Sequence, residues 1–200
     1  TAEVFSKFPL IRNGEKHGTI AVCTEGKVVE ITTLRSEGGY TDGRHPDWVK
    51  FVPDLRLDLA RRDFTVNAMA YHPGRGLCDP FGGKKDLRGR VIRCVGEPVT
   101  RFCEDGLRIL RAVRFAATLE FAIAPDTANA VRDCRALLDN IARERVRIEW
   151  DKLLLGAGAV PVLRAFLEIV GQIFPEVTPC FGFAQNSRYH CFDVWEHTLA

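Results

Sequence analysis

The stretch RFCEDGLRILRAVRF, Arg101 to Phe115, sets an acidic pair ahead of arginines at Arg108, Arg111 and Arg114. A helix turns by about 100° per residue, so each three-residue step returns close to the previous side chain and drifts by roughly 60° around the cylinder. On one continuous helix Asp105 and Arg108 therefore stand side by side, with Leu107, Leu110 and Val113 on the buried face. A carboxylate beside a guanidinium offers acceptors and a planar fork of donors, the equipment needed to read the hydrogen-bonding edge of a nucleobase. Arg111 and Arg114 continue the cationic track and suit phosphates. The plain alternative is an ion pair on the solvated face of an amphipathic helix, and this segment alone leaves both readings open. No strand signal follows Arg101, so the second half of the chain reads as helical.

Working outward, two further blocks lie upstream. DLARRDFTVNAMAY, Asp58 to Tyr71, falls in a segment from Asp54 with helical spacing of Leu55, Leu59, Phe64, Ala68 and Met69. Within it, Asn67 follows Asp63 by one helical turn, and Arg62 precedes it. Asp63 with Asn67 supplies paired donors and acceptors suited to ribose hydroxyls, or else a purely structural clamp, and Arg62 supplies a cation suited to a triphosphate. The second block is DPFGGKKDLRGRVIRCVG, Asp79 to Gly96, whose DPFGG reads as a hinge or tight turn because Pro80 fixes φ and the glycines permit positive φ.

In this order and wording, the three blocks resemble the class II tRNA nucleotidyltransferase and bacterial poly(A) polymerase family, whose best-known members add CCA to the 3′ end of tRNA. The resemblance runs from about Gly14 to the last residue. It implies an α+β fold: a truncated polymerase-β-like nucleotidyltransferase head, made of an antiparallel β hairpin plus a helix, followed by an all-α neck and body. The expected divisions are a partial head over residues 1–88, a nucleotide-selecting helical neck over 89–150, and a helical body over 151–200 leading toward a truncated HD-type domain. It also implies template-independent addition of C and/or A from CTP and ATP. Asp105 and Arg108 would face the base, and Arg62 would contact the incoming nucleotide, with Asp63 at its ribose. Arg111 and Arg114 would hold the triphosphate, with Asn67 and Glu104 in support. The implied cofactor is Mg2+ and the implied partner is a tRNA 3′ end.

In this family an Asp-x-Asp pair holding magnesium precedes the region matching Gly14, and no Asp-x-Asp occurs in these residues. The chain starts at Thr1 and stops in the helical pattern DVWEHTLA, so it reads as an internal fragment, not expected to catalyse transfer by itself. Glu30 is the candidate third carboxylate. Its strand, KVVEITTL over 27–34, is paired through Glu25-Gly26 with TIAVCT over 19–24, a hairpin signature. A glutamate facing solvent on a half-exposed sheet is the simpler reading. RSEGGYTDGRHPDWVKFV, Arg35 to Val52, reads as a loop, with Arg44 and His45 solvated or near RNA. Glu104 reads as an acidic residue near a helix N-terminus. Helical segments are predicted over 124–140, 143–157 and 159–172. His190 and His197 are seven apart, and one or two ligands do not make a metal site, so both count as structural residues or remnants of the HD-type domain.

Composition narrows the classes. With 46% hydrophobic residues, 200 residues bury a real core in one or two domains. A net charge of +2 confines any nucleic-acid site to a local patch. Seven irregularly spaced cysteines without a C-x-x-C pair favour reduced thiols and a cytoplasmic protein. No segment has the length and apolarity of a membrane span, and the N-terminus lacks a signal-peptide pattern. Two other readings stay open, a poly(A) polymerase of the same family and a non-catalytic RNA-binding module. An HD-type phosphohydrolase needs ligands that these residues do not contain.

Overall fold

The computed structural model describes every residue except Thr1, Lys16, His17, Asp42, Arg44, His45 and Ser187, so Arg44 and His45 lie outside the described residues. The N-terminal part is a three-stranded antiparallel sheet of β1 (Leu10–Ile11), β2 (Thr19–Thr24) and β3 (Lys27–Thr32) in that order. The expected hairpin closes with Thr24 opposite Lys27, and Glu25 and Gly26 both take positive φ, at 47° and 75°. Two consecutive left-handed residues match the right-handed twist of the flanking strands. Glu30 pairs with Ala21 and is exposed.

Residues 35–52 are not a loop throughout. β4 (Arg35–Gly38) and β5 (Trp48–Phe51) form an antiparallel ribbon, Arg35 opposite Phe51. The Gly- and Asp-rich composition is the turn chemistry of its tip, where the Asp47 carboxylate accepts from the Thr41 amide and hydroxyl at 3.3 and 2.8 Å. The strands carry no apolar alternation because Trp48 and Phe51 are themselves exposed.

The long helix expected over 54–71 breaks into three pieces: α1 (Leu55–Ala60), capped by Asp54, a 3-10 turn over Thr65–Asn67, and β6 (Ala70–His72), which pairs with β7 (Gly76–Cys78). Local chemistry and packing both oppose the helix here. The Asp63 carboxylate takes the Phe64 amide at 2.8 Å, a side-chain bond that competes with the helical ladder. Phe64 is extended, bridges to Cys94 and is fully buried.

α2 (Gly83–Gly89) follows the DPFGG segment, which takes the tight-turn form of the two expected, turning at Pro80 and Phe81 with Gly82 at φ 76° and capping the helix. Asp79 accepts from the Gly83 and Lys84 amides at 2.7 and 2.9 Å. A Cβ on Gly83 would stand 2.1 Å from the Thr65 carbonyl oxygen, so only glycine lets α2 close against the Thr65–Asn67 turn. Thr65 in turn donates to the buried Asp86 carboxylate at 2.8 Å.

Beyond β8 (Val91–Ile92) come α3 (Pro98–Glu104), α4 (Leu107–Leu119), β9 (Ala122–Ile123), α5 (Pro125–Asp133) and a 3-10 helix over Arg135–Asn140. α6 (Arg143–Leu154), α7 (Ala159–Ala165), α8 (Leu167–Ile173) and α9 (Val194–Leu199) complete the order. β8 and β9 pair in parallel, a two-residue strand contact that the helical reading after Arg101 missed. The segment read as one helix over 124–140 is α5 plus the 3-10 helix, and that over 159–172 breaks at Phe166. α4 is the central element. Ile109, Ala112 and Ala117 are wholly buried, and one apolar cluster runs from Phe64 through α4 to Trp195. All seven cysteines are free, and no described helix is long and apolar enough to cross a membrane.

Candidate nucleotide-binding site

The arginine segment is not one helix. Asp105 interrupts it with an extended backbone at φ −149° and ψ 105°, ending α3 at Glu104 and letting α4 begin at Leu107. Asp105 Oδ1 accepts from the Leu107 amide at 3.1 Å, so its side chain serves an exposed donor at the start of α4. Glu104 therefore lies at the C-terminal end of α3, not at the N-terminus expected for it, and its carboxylate bridges Arg101 and Arg108.

These shifts seat Arg108 differently from the side-by-side pair expected with Asp105. Its Nη1 donates to Glu104 Oε2 and to the Arg101 carbonyl at 3.2 Å, and its Nη2 to the Arg61 carbonyl at 3.1 Å. Its side chain is 12% exposed. Three of the five guanidinium N–H groups are thus used, leaving two donors without a partner among the described residues. Asp105 instead pairs with Arg145 of α6, Oδ2 to Nη2, at 2.9 Å. The spacing of 40 residues carries no local signal, and Arg145 is the functional neighbour that the sequence reading missed.

Asp105, Arg108 and Arg145 share a cavity of about 610 Å³ with Arg61, Arg62, Asp63, Asn67, Arg111, Arg114 and Phe115. Arg62 is its most exposed cation, at 44%, and among the described residues its ion pair is a 3.4 Å contact to Asp58. Asp63 is spent internally. Its Oδ1 accepts from the Phe64 amide and Asn67 Nδ2, and its Oδ2 accepts from Arg111 Nε at 2.8 Å with Arg111 Nη2 in ion-pair contact at 2.6 Å. With three hydrogen bonds and an ion-pair contact on its two oxygens, Asp63 is largely committed to protein partners and orients Arg111. Asn67 is the clamp on Asp63, held from the turn that packs on α2.

Arg114 is likewise turned away from the phosphate role expected for it. It donates to the buried Glu149 at 2.9 Å, stacks 3.6 Å from the Phe115 ring centroid and is 13% exposed. Glu149 also lies 4.0 Å from Arg111, so one carboxylate of α6 braces both arginines of α4.

Behind the cavity, a buried network joins it to the β4–β5 ribbon. Arg61 pairs with Asp58 at 2.7 Å and with Glu37 of β4 at 3.4 Å, and the Arg35 amide donates to Asp58 at 3.1 Å. Burial opposes ionisation of Asp58, yet the hydrogen bonds from Arg61 and the Arg35 amide, with the charges of Arg61 and Arg62, outweigh it and hold the carboxyl below its ordinary value. Tyr40 donates to Glu37 at 3.2 Å, and burial with the nearby Glu37 and Glu104 charges pushes its hydroxyl up to about 12.

Glu30 lies on exposed β3, outside this cavity. Among the described residues no three His, Cys, Asp or Glu side chains are grouped to hold a metal ion. His190 and His197 meet edge to face at 5.3 Å, with only His197 on α9.

Residues 3–93 match a family described as the poly(A) polymerase head domain, and residues 120–181 match one described as a probable RNA- and SrmB-binding site of polymerase A. The CCA-adding enzyme of Geobacillus stearothermophilus is 48% identical over 165 residues, covering 80% of this chain and 41% of the relative. The crystal structure of the Bacillus stearothermophilus CCA-adding enzyme in complex with CTP superposes with a TM-score of 0.73 at 45% identity, covering 82% of this chain and 40% of that one. The Thermotoga maritima CCA-adding enzyme complexed with a tRNA superposes with a TM-score of 0.69 at 28% identity, covering 86% and 40%. The chain thus spans about two-fifths of the length of the relatives it matches.

Proposed function

From the premise that the chain belongs to the tRNA nucleotidyltransferase and poly(A) polymerase family, we propose that the intact protein adds C and/or A to the tRNA 3′ end. It uses CTP and ATP without a nucleic-acid template. The RNA 3′ hydroxyl attacks the α-phosphate and pyrophosphate leaves. The observation that carries the reading is the pairing, in one cavity, of two unspent Arg108 donors with the partly used acceptors of Asp105. Cytosine and adenine each present an amino donor beside an acceptor ring nitrogen. Uracil and guanine present the reverse pattern, so this arrangement favours C and A.

The roles follow from what each side chain has left to offer. Arg62 and Arg111 take the triphosphate, Arg111 being aimed by Asp63. Glu104 immobilises Arg108, and Asn67 and Arg114 complete the frame. Mg2+ is the expected metal, and Glu30 is the carboxylate we assign to it. Among the described residues no group of three such ligands forms a complete site. The expected location is the cytoplasm.

Arg108→Ala in the full-length protein tests this reading. Preference for CTP and ATP over UTP and GTP should fall by about 1–3 kcal/mol, with the KM for tRNA little changed. An unchanged preference removes the base-reading role. Products on a tRNA lacking its tail separate the rivals: CCA, CC or a single A fits tRNA maturation, and a long A tract fits a poly(A) polymerase. Isothermal titration of this chain gives a second check. Equal, salt-dependent binding of all four nucleotides fits an RNA-binding module.

A further inference from the structure

Resting on the base-reading role of Asp105 and Arg108, we propose that Arg145 is a specificity-determining positioning residue: it holds Asp105 away from Arg108 so that both stay available to the base. Asp105 sits in an extended break between two helices, where its carbonyl accepts the Arg108 amide at 2.9 Å and its side chain is free of any helical rotamer constraint of α3. Among the described residues its carboxylate plane is set by two hydrogen bonds, the Leu107 amide on Oδ1 and Arg145 Nη2 on Oδ2. An ionised carboxylate has about four acceptor positions, so these two anchors fix its orientation and leave the rest free.

The alternative partner is close at hand. Arg108 lines the same cavity and keeps two unused N–H donors. A carboxylate released from Arg145 gains most by closing on that guanidinium, since bidentate carboxylate–arginine pairs are the strongest available. That internal pair consumes the acceptor and the donors that a base edge needs. Arg145 prevents it from a rigid base: its neighbours Val146 and Glu149 on α6 are buried, and Glu149 is fastened to Arg114. Arg145 also borders a second cavity of about 590 Å³ beside Tyr40 and Phe102, so it stands where the two spaces meet.

The test uses the full-length protein with a tRNA lacking its 3′ tail, and compares kcat/KM for CTP and UTP in Arg145→Gln, Arg145→Lys, Asp105→Asn and Arg147→Gln. Arg147 is the control, since its side chain is 82% exposed and its ion pair is with Asp151 on its own helix. Arg145→Gln is expected to lower the CTP/UTP ratio about ten-fold, with the KM for tRNA unchanged. Arg145→Lys falls between it and the unaltered protein, because an ammonium restores charge but not the guanidinium's geometry. A CTP/UTP ratio unchanged in Arg145→Lys and Arg145→Gln, with Asp105→Asn lowering it, overturns the positioning role and leaves Asp105 as reader. A ratio unchanged in Asp105→Asn overturns the underlying reading, and this inference with it. Where the Gln variant fails to fold, the Lys variant decides: equal losses for CTP and UTP mean that Arg145 is structural only.

Discussion

Asp58 shows how a residue remote from the substrate holds this site. Its carboxylate is nearly closed off from solvent, and it receives Arg61, Arg62 and the Arg35 amide. Removing one partner of such a cluster leaves buried charge uncompensated, so Asp58→Ala should cost about 3 kcal/mol in urea unfolding at neutral pH. The pH dependence has a definite sign. A carboxyl held below its ordinary 3.8 contributes stability that is full well above that value. The contribution is lost as pH falls below 3.8 toward the depressed folded value, so the gap between the two proteins should narrow in acid denaturation. At this scale, spacing and wording brought Arg62, Asp63, Asp105, Arg108 and Arg111 together before any coordinates, and all five line one cavity. What each does there depends on which hydrogen bonds are already filled, and the partners of Asp63 Oδ2 and Arg114 Nε lie 48 and 35 residues away.

Among the elements, the decisive events are interruptions. Helical periodicity continues through Asp105 and through Phe64, yet the backbone leaves the helix at both places. In each case a short carboxylate captures a nearby backbone amide, and at Phe64 the burial of an aromatic ring adds to the effect. The contact between α2 and the Thr65–Asn67 turn yields a further prediction. Gly83→Ala forces a Cβ against a backbone oxygen that no rotamer change can move, and should cost about 3 kcal/mol. CTP affinity should fall with it, because the displaced turn carries Asn67 and hence the Asp63–Arg111 pair; calorimetry on the folded variant checks this. Gly26→Ala meets no atoms but keeps a positive φ, and should cost about 1 kcal/mol with no effect on nucleotide binding. The loop expected over 35–52 shows the converse error, since an exposed two-stranded ribbon has no buried face to print an alternation in the sequence.

Over the whole molecule, stability is concentrated in the helical part. One apolar cluster links Phe64 with Trp195 through α4, whereas in the β1–β3 sheet only Ile20 and Val22 are buried. Leu153→Ala, at a wholly buried position, should destabilise the protein by about 3 kcal/mol and lower the thermal midpoint of the helical part as one unit. Native-state hydrogen exchange should find β2 opening at lower free energy than α4, and equal protection would contradict the concentration of stability in the helical part. The amino-acid sequence by itself determined the β hairpin and the α+β class. It also determined the helical second half and the family, and it singled out arginines that line one cavity. Those features rest on local spacing, turn chemistry and long specific wording, which a linear chain displays. Only the tertiary structure decided where the helices break and which carboxylate serves which arginine. It also decided that Arg145 holds Asp105 and that the Asp79–Gly83 segment is a packed cap. These depend on contacts between distant residues and on how few hydrogen bonds each group has to give, and neither leaves a periodic trace along the chain.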